Sequence, residues 1–121
     1  RVDGWRPLGG GLEFGERAGD ALTREFAEEL NEALGEPPLL TVMENHYEHY
    51  GLRGHEVAFV FEATFADPQV LQRDTFEVQE ADMTLHAQWK LLDPFAAGHE
   101  RLYPEGLAEL LAQRKQLKEG Q

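Results

Sequence analysis

The sequence predicts an α+β or mixed α/β domain. Three observations lead there. A glycine-rich loop runs straight into an amphipathic helical stretch, a central region holds apolar and aromatic runs broken by turn residues, and a second helical stretch closes the chain. At 121 residues the chain suits one domain spanning 1–121.

The elements follow in order. Gly9 to Gly15, reading GGGLEFG, forms the loop. Leu22, Phe26 and Leu30 then recur at i, i+4 and i+8, which predicts a helix from about Ala18 to Asn31 or Leu34. Asp20 complements the dipole at its start, and Asn31 or Gly35 can supply the left-handed residue that ends it. After Pro37-Pro38, Leu39 to Glu44 reads as a strand, followed by an aromatic and polar loop from Asn45 to Gly51. His55 to Phe65 reads as a longer, largely buried strand that Asp67-Pro68 stops. Thr75 to Val78 and His86 to Leu92 are shorter strand candidates around the acidic loop Gln79 to Asp82. A final helix is expected to begin near Pro104, with Leu107, Leu110, Leu111 and Leu117 facing inward.

Composition narrows the function. There is no cysteine, which excludes disulfides, a thiolate zinc site and a cysteine nucleophile. That fits a reducing compartment, and a cytoplasmic location is the expectation. A formal net charge of -12 argues against a nucleic-acid polymer, since duplex binding relies on Lys and Arg neutralising phosphates. A compact diphosphate differs, because a divalent cation can bridge acidic side chains and anionic oxygens. No stretch approaches the length of apolar sequence needed to span a bilayer, and no signal pattern opens the chain, so no membrane partner is expected.

The chemistry concentrates in Arg24-Glu25-Phe26-Ala27-Glu28-Glu29. Glu25, Glu28, Glu29 and Glu32 stand at i, i+3, i+4 and i+7, which puts all four on one helical face. Like charges at i, i+4 cost roughly 0.2–0.5 kcal/mol per pair. Acids in the second half of a helix also oppose its dipole. The ordinary alternative is a solvated acidic surface. A hard divalent cation makes the same arrangement favourable, because Mg²⁺ takes oxygen ligands from a few carboxylates together with substrate phosphates.

Counting from Gly10, five residues lead to Glu16, seven more lead to Arg24, and Glu25-Phe26-Ala27-Glu28-Glu29 follows. This spacing resembles the Nudix box, which ends in Arg-Glu-apolar-any-Glu-Glu-any-Gly-apolar. The match runs from Gly10 to Glu32 and departs at two positions, Asn31 in place of the glycine and Glu32 in place of the apolar residue. Asn tolerates positive φ, so the helix end can survive the first change.

The resemblance implies a Nudix fold, a mixed β-sheet sandwiched between helices with the box as loop-helix-loop. It implies a hydrolase that cleaves a pyrophosphate bond in a nucleoside diphosphate linked to another moiety, with Mg²⁺ or Mn²⁺. The alternative is a noncatalytic Nudix-fold module that binds nucleotide or protein. By position, Glu25, Glu28 and Glu29 would hold metal, joined by the backbone at Gly10. Glu16 and Arg24 would pair to tie loop to helix, which places Glu16, Arg24, Glu25 and Glu28 in the catalytic set. Gly9, Gly10 and Gly11 would let the diphosphate approach the backbone. A box glutamate or a later acid, for which Glu80 and Asp82 are candidates, would orient the attacking water. Only nine residues precede Gly10, fewer than the family's usual leading strands. The amino-terminal strands are therefore expected to be missing upstream, or completed by another chain in a homodimer.

Other residues have plainer readings. His46, His49 and His55 lack zinc spacing and suit a surface or substrate pocket better than a metal. His55-Glu56 lacks the second histidine of a zincin motif. Tyr47 and Tyr50 are candidates to stack on a nucleobase, Trp5 is ambiguous, and Trp89 is expected in the core.

Overall fold

Helix α1 (Ala18–Leu30) starts after extended Arg17 and carries Asp20 in its first turn. It ends where Asn31 turns left-handed, at φ 54°. The Asn31 amide donates to Ala27 O and the Glu32 amide to Phe26 O, so two of the last carbonyls find partners. The break has a consequence for the acidic stripe. Glu32 lies beyond the helix and turns to Arg73, at 2.9 Å, instead of continuing the face that carries Glu25 and Glu29.

The computed structural model describes residues 4–49 and 51–119. The fold is α+β. Strands β1 (Leu39–His49) and β2 (Leu52–Phe61) pair, and strands β3 (Thr75–Glu80) and β4 (Met83–Gln88) pair antiparallel with Phe76 opposite Ala87. The mixed sheet expected from sequence is represented among the described residues by these two two-stranded sheets, together with an isolated parallel bridge between Trp5 and Leu102. Helices α2 (Asp93–Ala96) and α3 (Leu107–Glu119) follow.

The chain forms two compact units. One comprises 8–43 and 58–89, and it contains α1, β3 and β4. Its core is aromatic. Phe26 of α1 lies 5.7 Å, centroid to centroid, from Phe65, which meets Phe76 at 6.3 Å and the edge of Trp89 at 6.1 Å. Such pairs add about 0.5–1.5 kcal/mol each to the burial itself. Phe76 and Val78, alternate residues of β3, are buried, so β3 offers one apolar face against which α1 packs. Trp89 is 47% exposed, not enclosed as expected. Its indole N–H reaches Val70 O at 3.3 Å while one side of so large a ring stays in water.

The other unit comprises 1–7, 44–57 and 90–121. The Trp5 amide donates to Arg101 O and the Tyr103 amide to Trp5 O, while Lys90 Nζ sits 4.6 Å above the Trp5 ring. Phe95 of α2 and Leu107 and Ala108 of α3 are buried.

Several expectations need correction. The segment Asn45 to His49 is strand, because its polar side chains find cross-strand partners, as in Asn45 Nδ2 to Glu56 Oε1 at 2.9 Å. Strand β2 ends at Phe61, short of Phe65, and Val57 and Phe59 remain about half exposed, since a two-stranded sheet covers little. The last hairpin strand is Met83–Gln88, not His86 to Leu92, because the turn is only Ala81-Asp82 with Ala81 at φ 54°. Asp67-Pro68 opens a 3₁₀ turn, Pro68–Gln72, in which the Asp67 carboxylate accepts from the Gln69 amide. Helix α3 begins at Leu107, not Pro104, and Leu117 is 71% exposed. The one-turn α2 is too short to cover all of α3. Among the described residues no helix is long and apolar enough to cross a membrane.

Candidate functional site

The glycine loop and α1 lie in one unit and are joined through Arg24. Gly15, at φ 81°, supplies the positive φ that lets the chain turn between Glu13 and Glu16, closed by the Glu16 amide on Glu13 O at 3.0 Å. The turn presents Glu16 to Arg24. Arg24 Nε donates to Glu16 Oε2 at 2.7 Å and Nη2 to Oε1 at 2.9 Å, a two-pronged pair, and Oε1 also accepts from the Glu13 amide at 3.0 Å. These donors hold the Glu16 carboxyl down at about 2, the Arg24 guanidinium first and the Glu13 amide second. The same pair pushes the Arg24 guanidinium further above its ordinary range. Nη2 also donates to Gly11 O at 3.3 Å.

The other side of the guanidinium faces the helix acids. Nη1 lies 3.1 Å from Glu25 Oε1 and 3.3 Å from Glu28 Oε2, with Glu13 Oε1 at 3.8 Å. Arg24 thus serves four carboxylates and cannot neutralise them all. Glu29 shows the excess of negative charge. Its carboxyl is pushed up to about 7, first by partial burial, then by the charge of Glu25 and a hydrogen bond with it, with Glu80 and Glu28 adding to the effect. Glu80, at the end of β3, therefore acts on the same cluster, whereas Asp82 lies in the following turn.

Gly10 packs directly on Glu25. A Cβ at Gly10 would stand 2.5 Å from Glu25 Cδ and 2.7 Å from each carboxylate oxygen, so only glycine leaves that carboxylate where it is. Gly9 and Gly11 are exposed, with nothing within 4 Å of a Cβ at either. The structure thus brings Gly10, Gly11, Glu16, Arg24, Glu25, Glu28 and Glu29 into one network, with Gly9 at its exposed end. Oxygen donors of this kind suit a hard divalent cation.

Tyr47 belongs to the other unit, where its half-exposed ring lies over Gly54 so closely that no Cβ would fit there. On the same hairpin the His46 and His55 rings stack 4.1 Å apart, 15° from parallel, and His55 Nε2 lies 2.9 Å from Glu44 Oε1. Tyr50 and the side chain of His49 fall outside the described residues.

Two contacts escaped the sequence reading. Arg73 as the partner of Glu32 has no local signal, being far along the chain. Glu13 as a further ligand of Arg24 was within reach, since it stands three residues before Glu16.

Comparison with known proteins adds one match. A family model described as the NUDIX domain matches residues 1–106. No curated protein and no solved structure matches the chain.

Proposed function

Since this chain belongs to the Nudix hydrolase family, we propose that it cleaves the pyrophosphate bond of a nucleoside diphosphate linked to another moiety, with Mg²⁺ or Mn²⁺ as cofactor. The observation that carries the reading is the crowding around Glu29. Partial burial first, and then the charges of three neighbouring carboxylates, raise it to about 7, so the site binds a proton that a divalent cation can replace. The donor set fits the metal, being all oxygen and drawn from Glu25, Glu28 and Glu29 with the backbone at Gly10 beside them. When bound, the metal supplies charge neutralisation on the diphosphate and a lowered pKa for the attacking water.

The chain's own residues do the rest. Arg24 and Glu16 fix the loop to the helix, so that Gly10 and Glu25 keep their mutual position. Gly9, Gly10 and Gly11 admit the diphosphate close to backbone. Glu80, near enough to influence Glu29, is the candidate to orient the water or accept its proton.

The test is release of nucleoside monophosphate from a panel of nucleoside diphosphate derivatives, with and without Mg²⁺. We expect metal-dependent turnover that falls roughly 100-fold or more in Glu28→Gln, because loss of a metal ligand costs at least as much as loss of an outer partner. Turnover that ignores both the metal and this substitution overturns the proposal. Magnesium binding without any turnover favours the noncatalytic module instead.

A further inference from the structure

We propose a second metal site, distinct in chemistry from the acidic box: Glu44, His46 and His55 on the β1–β2 hairpin form a three-donor site for a borderline transition ion such as Zn²⁺. The strand geometry builds it. Glu44 and His46 are two apart on β1, so both project from one face, and His55 faces them from β2. The stacked His46 and His55 rings, 4.1 Å apart, show these two faces meeting across the paired strands. Asn45 and Glu56 bond across the strands beside it, at 2.9 Å.

One ligand atom from each of the three side chains lies within 4.8 Å of the others. The closest pair, His55 Nε2 and Glu44 Oε1, is 2.9 Å apart. Bond lengths of about 2.0–2.2 Å place neighbouring ligands of one zinc ion roughly 3–3.5 Å apart. The widest separation must therefore close by only about an ångström or so. All three side chains are exposed, so rotation can supply that without moving the backbone.

The donor types decide the ion. Two imidazoles and one carboxylate match the nitrogen-rich sets of zinc and copper, whereas Mg²⁺ and Mn²⁺ favour the all-oxygen cluster of α1. Three protein ligands also leave a coordination position open. Spacing along the sequence argues against this site, because strand pairing rather than local sequence joins His46 to His55. Charge favours it. The chain's formal net charge of -12 attracts cations, and Glu44 supplies a local anion.

The test uses the full chain at pH 7.5, titrated calorimetrically with Zn²⁺ and, separately, with Co²⁺ read by visible absorption. We expect one site that Mg²⁺ in millimolar excess does not displace. Affinity should fall roughly tenfold or more in His46→Ala and in His55→Ala, since removal of a direct ligand outweighs removal of an outer one. Glu29→Gln in α1 should leave the zinc site and its cobalt spectrum unchanged. Asn substitutions at both histidines, checked by circular dichroism, guard against an unfolded alanine variant. The inference is overturned if the wild type takes up no zinc, or if both histidine variants retain its affinity and spectrum. It is overturned equally if Glu29→Gln abolishes the site, which would place the zinc in the acidic box.

Discussion

A carboxyl that titrates at about 7 must release its proton before it can ligate a metal, and Glu29 is such a group. At that value it is about nine-tenths protonated at pH 6 and about one-tenth at pH 8. Affinity for Mg²⁺ should therefore rise about tenfold between those two pH values, on account of this residue alone. Calorimetry in two buffers of different ionisation enthalpy reads the effect directly. We expect release of about 0.9 proton per ion at pH 6 and about 0.1 at pH 8. Glu29→Gln should bind more weakly at pH 8 and lose the pH dependence. Stability without metal carries the same signature. A carboxyl raised from 4.5 to about 7 on folding contributes stability that is present below pH 4.5 and lost as pH rises through 7. The melting temperature of the metal-free protein should thus fall across that window, and Mg²⁺ should restore it at pH 8. Affinity that is flat between pH 6 and 8, with no proton released, refutes the assignment of Glu29 as a ligand displaced from its proton.

Three further outcomes follow from the geometry. Gly10→Ala drives a methyl into the Glu25 carboxylate, so Mg²⁺ affinity should fall roughly tenfold while the urea midpoint barely moves, the loop being exposed. Asn31→Ala should cost about 1–2 kcal/mol in urea unfolding because of φ 54°, whereas Asn31→Gly should stay within about 0.5 kcal/mol of wild type. Phe26→Ala opens the aromatic core between α1 and Phe65 and should cost about 3–5 kcal/mol by the same measurement, a loss under 1 kcal/mol being inconsistent with that packing.

What the sequence made legible was whatever depends on near neighbours. The start of α1 and Asn31 as one of two candidate ends follow from residues a few places apart, while the pairing of Glu16 with Arg24 came from the resemblance to the Nudix box. The strand reading failed where partners come from elsewhere in the chain. Asn45 and His46 look like loop residues until Glu56 and His55 are placed opposite them. Glu32 looks like part of an acidic stripe until Arg73 arrives from the 3₁₀ turn. The Leu117 error has a similar origin, since helical periodicity says which residues share a face but not how long the partner helix is. In the site, carboxylate spacing identified the cluster, yet the raised titration of Glu29 also needed Glu80 from a hairpin some fifty residues on.

Phe14 stands beside Gly15 in the loop turn and is fully exposed, at 108% of its reference area. The glycine and Glu16 hold the bend, so the aromatic side chain contributes nothing to it. Because the chain lacks cysteine, Phe14→Cys would create a unique attachment point for a fluorophore or spin label. Such a probe would sit two residues from the Glu16–Arg24 latch and report occupancy of the acidic cluster as it happens.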